Sequence, residues 1–212
     1  YDDDPGGEGV VSQFRNLLHH HIHQNSPGAI GTFWTGLGAI RREAFVAAGG
    51  FPERSMEDVE FGMRLAASGA SIVLDPRVQG KHLKQWTVSS MVRTDLLMRG
   101  APWIQLALRN KTPAAVLNLG WRHRMSATAS VWALTALLLR RPRGALGALG
   151  AFIGLNRSFY GLLLRRRGPV TAATGVALHL LHHLTGVAAV PTGIALYVAE
   201  RRREPSSCDS DS

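Results

Sequence analysis

Cysteine is almost absent: Cys208 is the single one in 212 residues, so no disulfide can form within the chain. Carboxylates fail over a long interval, with no Asp or Glu between Lys111 and Val198. A soluble globular half rarely lacks acids over such a length, so two different environments are expected along the chain. No basic stretch followed by an apolar core stands near the start, so no signal peptide is visible there. The opening residue is Tyr1 and not Met, which puts the expected N-terminus upstream. No internal repeat is evident.

What remains is 45% hydrophobic and carries a formal charge of +9. That charge would permit nucleic-acid binding. However, it sits beside apolar runs and not in a soluble patch with interleaved aromatics, so nucleic acid is not an expected partner.

Over residues 1–110, short apolar runs alternate with helical patterns and Gly/Pro punctuation, the pattern of the end of an α/β domain. Val11, Phe14, Leu18 and Ile22 stand at helical spacing, predicting a helix from Val10 to Gln24. The Gly-rich segment from Gly31 to Ile40 is expected as strand and loop. A helix from Arg41 to Ala48 should stop at Gly49-Gly50, where glycine can take the left-handed conformation. Next, Ser55 can cap a helix with Glu57 and Asp58 in its first turn and Val59, Met63 and Ala66 on one face. Gly69 closes it, and Ile72 to Leu74 reads as a strand ended by Asp75-Pro76.

Beyond Trp121 the character changes. Met125 to Leu139 has no charge, Gly144 to Leu164 is interrupted only by Arg157, and Gly168 to Ala199 has no Lys, Arg, Asp or Glu. Against about 20 apolar residues per span, the first run is short, the second adequate, and the third long enough for a tilted span or a hairpin broken near Pro191. Arginine clusters bound every run, at Arg122 and Arg124, Arg140 to Arg143, Arg165 to Arg167 and Arg201 to Arg203. Positive residues favour the cytoplasmic side, so not every run can cross, and some should lie in the interface or re-enter. The expected organisation is an α/β domain over 1–110, a membrane-associated helical region over 111–203 and a polar tail over 204–212.

The ordered set Gly36 and Gly38, Arg41-Arg42, Gly49-Gly50-Phe51, Glu57-Asp58, Glu60, Arg64-Leu65, Gly69, Ile72 to Leu74 and His82 resembles the family 2 glycosyltransferases. It covers roughly a quarter of the chain. The opening "YDDDP" and "FRNLLHHHIHQ" look like a membrane-bound subgroup of that family. The resemblance implies the C-terminal part of a GT-A domain, a nucleotide-sugar donor, a divalent metal (Mg or Mn) and inversion at the anomeric carbon. It also implies an Asp-x-Asp motif after an apolar strand, expected upstream of Tyr1. Asp2, Asp3 and Asp4 spell the motif but follow no such strand. "KHLKQW" lacks the arginine of the Gln-x-x-Arg-Trp sequence that processive members carry, which argues against polymer synthesis.

By the resemblance, Asp58 is the base that takes the acceptor proton, with Glu57 beside it. Trp34, Gly36, Arg41, Arg42 and Trp86 are assigned to substrate, and His82 to the metal or the donor diphosphate. Each has an ordinary reading too. Acids in a first helical turn favour the helix dipole, surface arginines are common, and Trp34 and Trp86 suit a core. His19 and His23 share a helical face, but no third zinc ligand has suitable spacing. The function expected is a membrane-bound inverting glycosyltransferase acting on a lipid, lipid-linked or glycan acceptor. The alternative is a non-catalytic basic protein that binds anionic lipid.

Overall fold

The computed structural model describes residues 1–53, 56–110 and 120–203. The predicted cap Ser55, Cys208 and the polar tail lie outside them. Eight α-helices are described: α1 (Gly9–Gln24), α2 (Arg42–Ala47), α3 (Glu57–Ala67), α4 (Val88–Arg93), α5 (Ala101–Asn110), α6 (Trp121–Leu138), α7 (Pro142–Leu155) and α8 (Arg157–Arg201). A π-helical segment, Thr94–Gly100, joins α4 to α5. The only strands among the described residues are β1 (Gly28–Ile30) and β2 (Ile72–Leu74), an antiparallel pair with Ala29 opposite Val73.

This arrangement overturns the expected α/β fold. A GT-A portion needs a multi-stranded, largely parallel sheet flanked by helices. Here two three-residue strands pair only with each other, and the Gly31–Ile40 segment expected to include a strand is loop. The apolar residues that suggested a sheet layer pack as helix surfaces instead. α1 is buried nearly all round, through Phe14, Leu17 and Leu18 but also Ser12, Arg15 and Asn16. It packs on α8, and Phe14, Leu17, Leu18, Met91, Phe152, Phe159 and Leu163 share one core. That core draws on residues both before and after the acid-free interval begins. Each such side chain, fully buried, contributes about 1.5–3 kcal/mol.

A smaller cluster holds α3. Gly49 and Gly50 take left-handed φ values of 74° and 65°, ending α2. The chain then folds back so that Phe51 meets Phe61 at 4.6 Å between ring centroids, with Phe33 and Phe45 alongside. The buried face of α3 is therefore Phe61, Gly62 and Leu65, one helical step away from the predicted Val59, Met63 and Ala66. Gly62 allows this approach: a Cβ there would stand 2.1 Å from the Phe33 backbone nitrogen. Arg64 is also structural, donating to the Gly50 carbonyl and lying over the Phe61 ring.

α6 and α7 form a hairpin whose turn carries Arg140 at φ 54°. α8 breaks at Gly168 (φ 81°, ψ 178°), and Pro169 starts the second arm, where its missing N–H costs nothing. That arm, residues 169–201, extends about 50 Å at 1.5 Å per residue, longer than a hydrocarbon core of about 30 Å. α8 is the one described helix long and apolar enough to cross a membrane. Close approach fixes it on its neighbours: a Cβ on Gly193 would stand 2.6 Å from the Ala101 carbonyl, and one on Gly100 2.5 Å from Ala189.

Candidate active site

The first turn of α3 opens onto a cleft of about 560 Å³. Met56, just before the helix, is left-handed at φ 71°, a conformation that costs a residue with a Cβ about 1–3 kcal/mol and clusters at functional sites. It turns the chain so that Glu57 and Asp58 enter the cleft wall together. Opposite them stand His82, Lys81, Lys84 and Arg99. The α3 backbone is tied to the facing loop where the Phe33 N–H donates to the Asp58 carbonyl at 3.3 Å.

The Asp58 carboxylate is half-buried, and its Oδ1 accepts from the Val59 N–H at 2.8 Å. Burial, reinforced by the Glu57 charge, raises its pKa above the ordinary carboxylate value, against the opposing pull of that N–H and of Arg99. His82 Nδ1 lies 2.9 Å from Asn16 Oδ1, and burial with the nearby Lys84 lowers its pKa. The ring is therefore neutral near pH 7, and with its Nδ1–H donated to the Asn16 oxygen, Nε2 is left as an acceptor. Arg99 forms no ion pair among the described residues, leaving its charge free to face an anion in the cleft.

An aromatic wall closes one side. Trp34 stacks on Tyr1 at 4.7 Å, and His19, His23 and His82 pack around the Tyr1 ring at 4.5–5.4 Å. His19 and His23 thus serve as ring contacts here, and burial lowers both their pKa values, that of His23 to about 4. A side chain at Gly36 would meet the Trp34 ring at 2.5 Å, so the glycine lets that ring lie flat in the cleft wall.

The structure therefore brings Asp58, Glu57, Trp34, Gly36 and His82 to one cleft. Three other assigned residues are elsewhere. Arg41 and Arg42 are exposed at the start of α2 and line no part of it. Trp86 is buried, donating its Nε1–H to Asn16 Oδ1 at 3.1 Å, with the Lys84 ammonium 4.0 Å from its ring centroid. It supports the cleft floor from behind. Asp3 pairs with Arg166, and Asp4 with Lys81 and Arg167 at 2.7 and 2.8 Å, so these acids tie the first residues to α8. No three His, Cys, Asp or Glu side chains among the described residues converge as metal ligands, and the cleft is rich in cations. The residues present do not fit the implied divalent ion, and no step is routed through it.

No motif in the sequence marks Tyr1, Met56 or Arg99 as part of the cleft. No spacing rule marks Arg99, because the π-helical register that carries it into the wall has no sequence signature as clear as the 3.6-residue period. No family model, no curated protein and no solved structure matches this chain.

Proposed function

We propose that the protein is a membrane-bound inverting glycosyltransferase that moves a sugar from a nucleotide-sugar donor to a lipid, lipid-linked or glycan acceptor. One observation carries the reading: a half-buried carboxylate of raised pKa stands in a cleft that also holds three cations, Lys81, Lys84 and Arg99. A base must be close to the proton it takes, and matching its pKa toward working pH helps the transfer. In the proposed step the acceptor oxygen attacks the anomeric carbon from the face opposite the leaving diphosphate. The C–O bond to the diphosphate breaks as the new one forms, and the acceptor proton passes to Asp58. Arg99 and Lys84 face the charge that develops on the leaving group. Trp34, backed by the buried Tyr1 ring, offers a flat face to a sugar or base.

The surface supports a membrane location. α6, α7 and α8 expose Trp132, Leu138, Leu146, Val170 and Ile194, an apolar display that soluble monomers rarely carry over so wide an area. Arg166 and Arg167 reach Asp3 and Asp4 beside the cleft. Positive residues favour the cytoplasmic face, so the cleft is proposed to open there.

Asp58→Asn preserves size but cannot take the proton. Sugar transfer by the full-length protein, followed with a labelled nucleotide-sugar in detergent-solubilised membranes, should fall roughly 10²–10⁴-fold. Wild-type rates in that variant would leave Asp58 as a helix-dipole partner and nothing more. Retention of anionic vesicles with no transfer by any variant would favour the lipid-binding alternative.

A further inference from the structure

Tyr1, Trp34, Met56, Asp58 and Arg99 also form the inner end of a second cavity, of about 530 Å³. Leu18 of α1, Trp103 and Ile104 of α5, and Val187 and Val190 of α8 make its length apolar. Val187 and Val190 are partly exposed on the helix that is long enough to cross a bilayer, so the cavity is continuous with that helix's apolar surface. Arg15 and Asp95 line it as a buried ion pair, with His182 Nδ1 at 2.7 Å from Asp95 Oδ2.

Two buried histidines are left over. His19 is 9% exposed and His183 3%, both line this cavity, and the Nδ1 of each lacks a hydrogen-bond partner among the described residues. Both Nδ1 atoms are shielded from solvent, so these histidines line the groove without offering it a hydrogen bond from that atom. Arg124 stands in the wall with no carboxylate partner among the described residues, a cation suited to an anionic headgroup.

We propose that this groove holds the sugar acceptor, a membrane lipid with an anionic phosphate-linked head that bears a hydroxyl. The inference rests on the sugar-transfer reading of Asp58 and specifies its acceptor. The chain lies along Leu18, Ile104, Val187 and Val190, the phosphate meets Arg124, and the hydroxyl reaches Asp58 where the two cavities join. The donor enters from the polar cleft and the acceptor from the bilayer side. The hydroxyl proton goes to Asp58, the new glycosidic bond forms on the lipid oxygen, and the nucleoside diphosphate leaves through the polar cleft. A cavity of this size lies within the roughly 300–1,000 Å³ range of ligand sites.

The test uses the full-length protein in nanodiscs containing phosphatidylglycerol, a fraction of it bearing a photoreactive diazirine on one acyl chain. Mass spectrometry should map the crosslink to α5 and α8 around Ile104, Val187 and Val190, and excess unlabelled phosphatidylglycerol should compete it away. Gly186→Trp fills the groove from a position where a Cβ meets nothing within 4 Å, so the helix backbone accommodates it. Ala127→Trp fills it from α6, which guards against a folding defect in either variant. Both should lower the crosslink at least about tenfold. A crosslink outside the groove, or one that neither tryptophan lowers, overturns the proposal even where Asp58-dependent transfer to a soluble acceptor persists. A groove crosslink that both variants abolish, with no Asp58-dependent transfer to any acceptor, would uphold lipid binding and sink the sugar-transfer reading on which the acceptor role depends.

Discussion

Asp58 is held where two influences raise its proton affinity: burial disfavours the charged form, and the neighbouring Glu57 charge adds to that. A base works only when ionised, so transfer should fall as pH drops through the Asp58 pKa. Removing the Glu57 charge lowers that pKa, and Glu57→Gln is expected to move the acidic limb of the kcat/KM profile to lower pH. An unmoved limb, or one displaced upward, would detach Glu57 from the base. The same scale separates the arginines. Arg15 is buried against Asp95 and its role is structural, since truncating either partner would strand a charge in the interior. Arg99 keeps its charge for the cleft.

At the level of elements, the site depends on how closely α3 lies on the 32–33 backbone. Gly62→Ala would set a methyl carbon 2.5 Å from Thr32 Cα as well as 2.1 Å from the Phe33 nitrogen, and backbone cannot swing aside as a side chain does. The expected result is a loss of about 1–3 kcal/mol, the usual cost of overpacking, seen as a lower Tm. Transfer should fall with it, because the Phe33 N–H to Asp58 carbonyl contact is what the methyl pushes apart. A variant as stable and active as the wild type would show that the approach is looser than the structure has it. The Gly-Gly-Phe turn belongs to the same device, since two left-handed glycines deliver Phe51 to Phe61.

At the scale of the whole molecule, the acid-free interval and the exposed apolar faces of α6 to α8 predict how the protein partitions. It should stay with the membrane pellet through high salt and alkaline carbonate and come free only in detergent. Release by salt alone would reduce the association to arginines on headgroups, which salt screens. Two helices and a strand are legible in the sequence: α1 and α2 lie within a residue of their expected bounds, the Gly49-Gly50 stop takes the left-handed conformation, and β2 spans the expected Ile72–Leu74, whereas the expected 144–164 run divides at Asn156 between α7 and α8. These follow from local rules, because periodicity, capping and glycine's freedom act within a few residues. The sheet is not legible for the converse reason. Short apolar runs fit a strand or a helix face equally, and only the partner each run meets decides between them.

The amino-acid sequence by itself determined the bounds of α1, α2 and β2, which stretch is apolar and acid-free, and that Glu57 and Asp58 share a first helical turn. The tertiary structure alone decided that Phe61 and Leu65 face inward, that Trp86 and the Arg41-Arg42 pair stand away from the cleft, and that Tyr1 and Arg99 join Asp58 across almost a hundred residues. The reason is physical. Spacing along a chain sets which side chains share a face, whereas the side that is buried, and the charges that meet across a cavity, depend on packing between segments that local sequence does not relate.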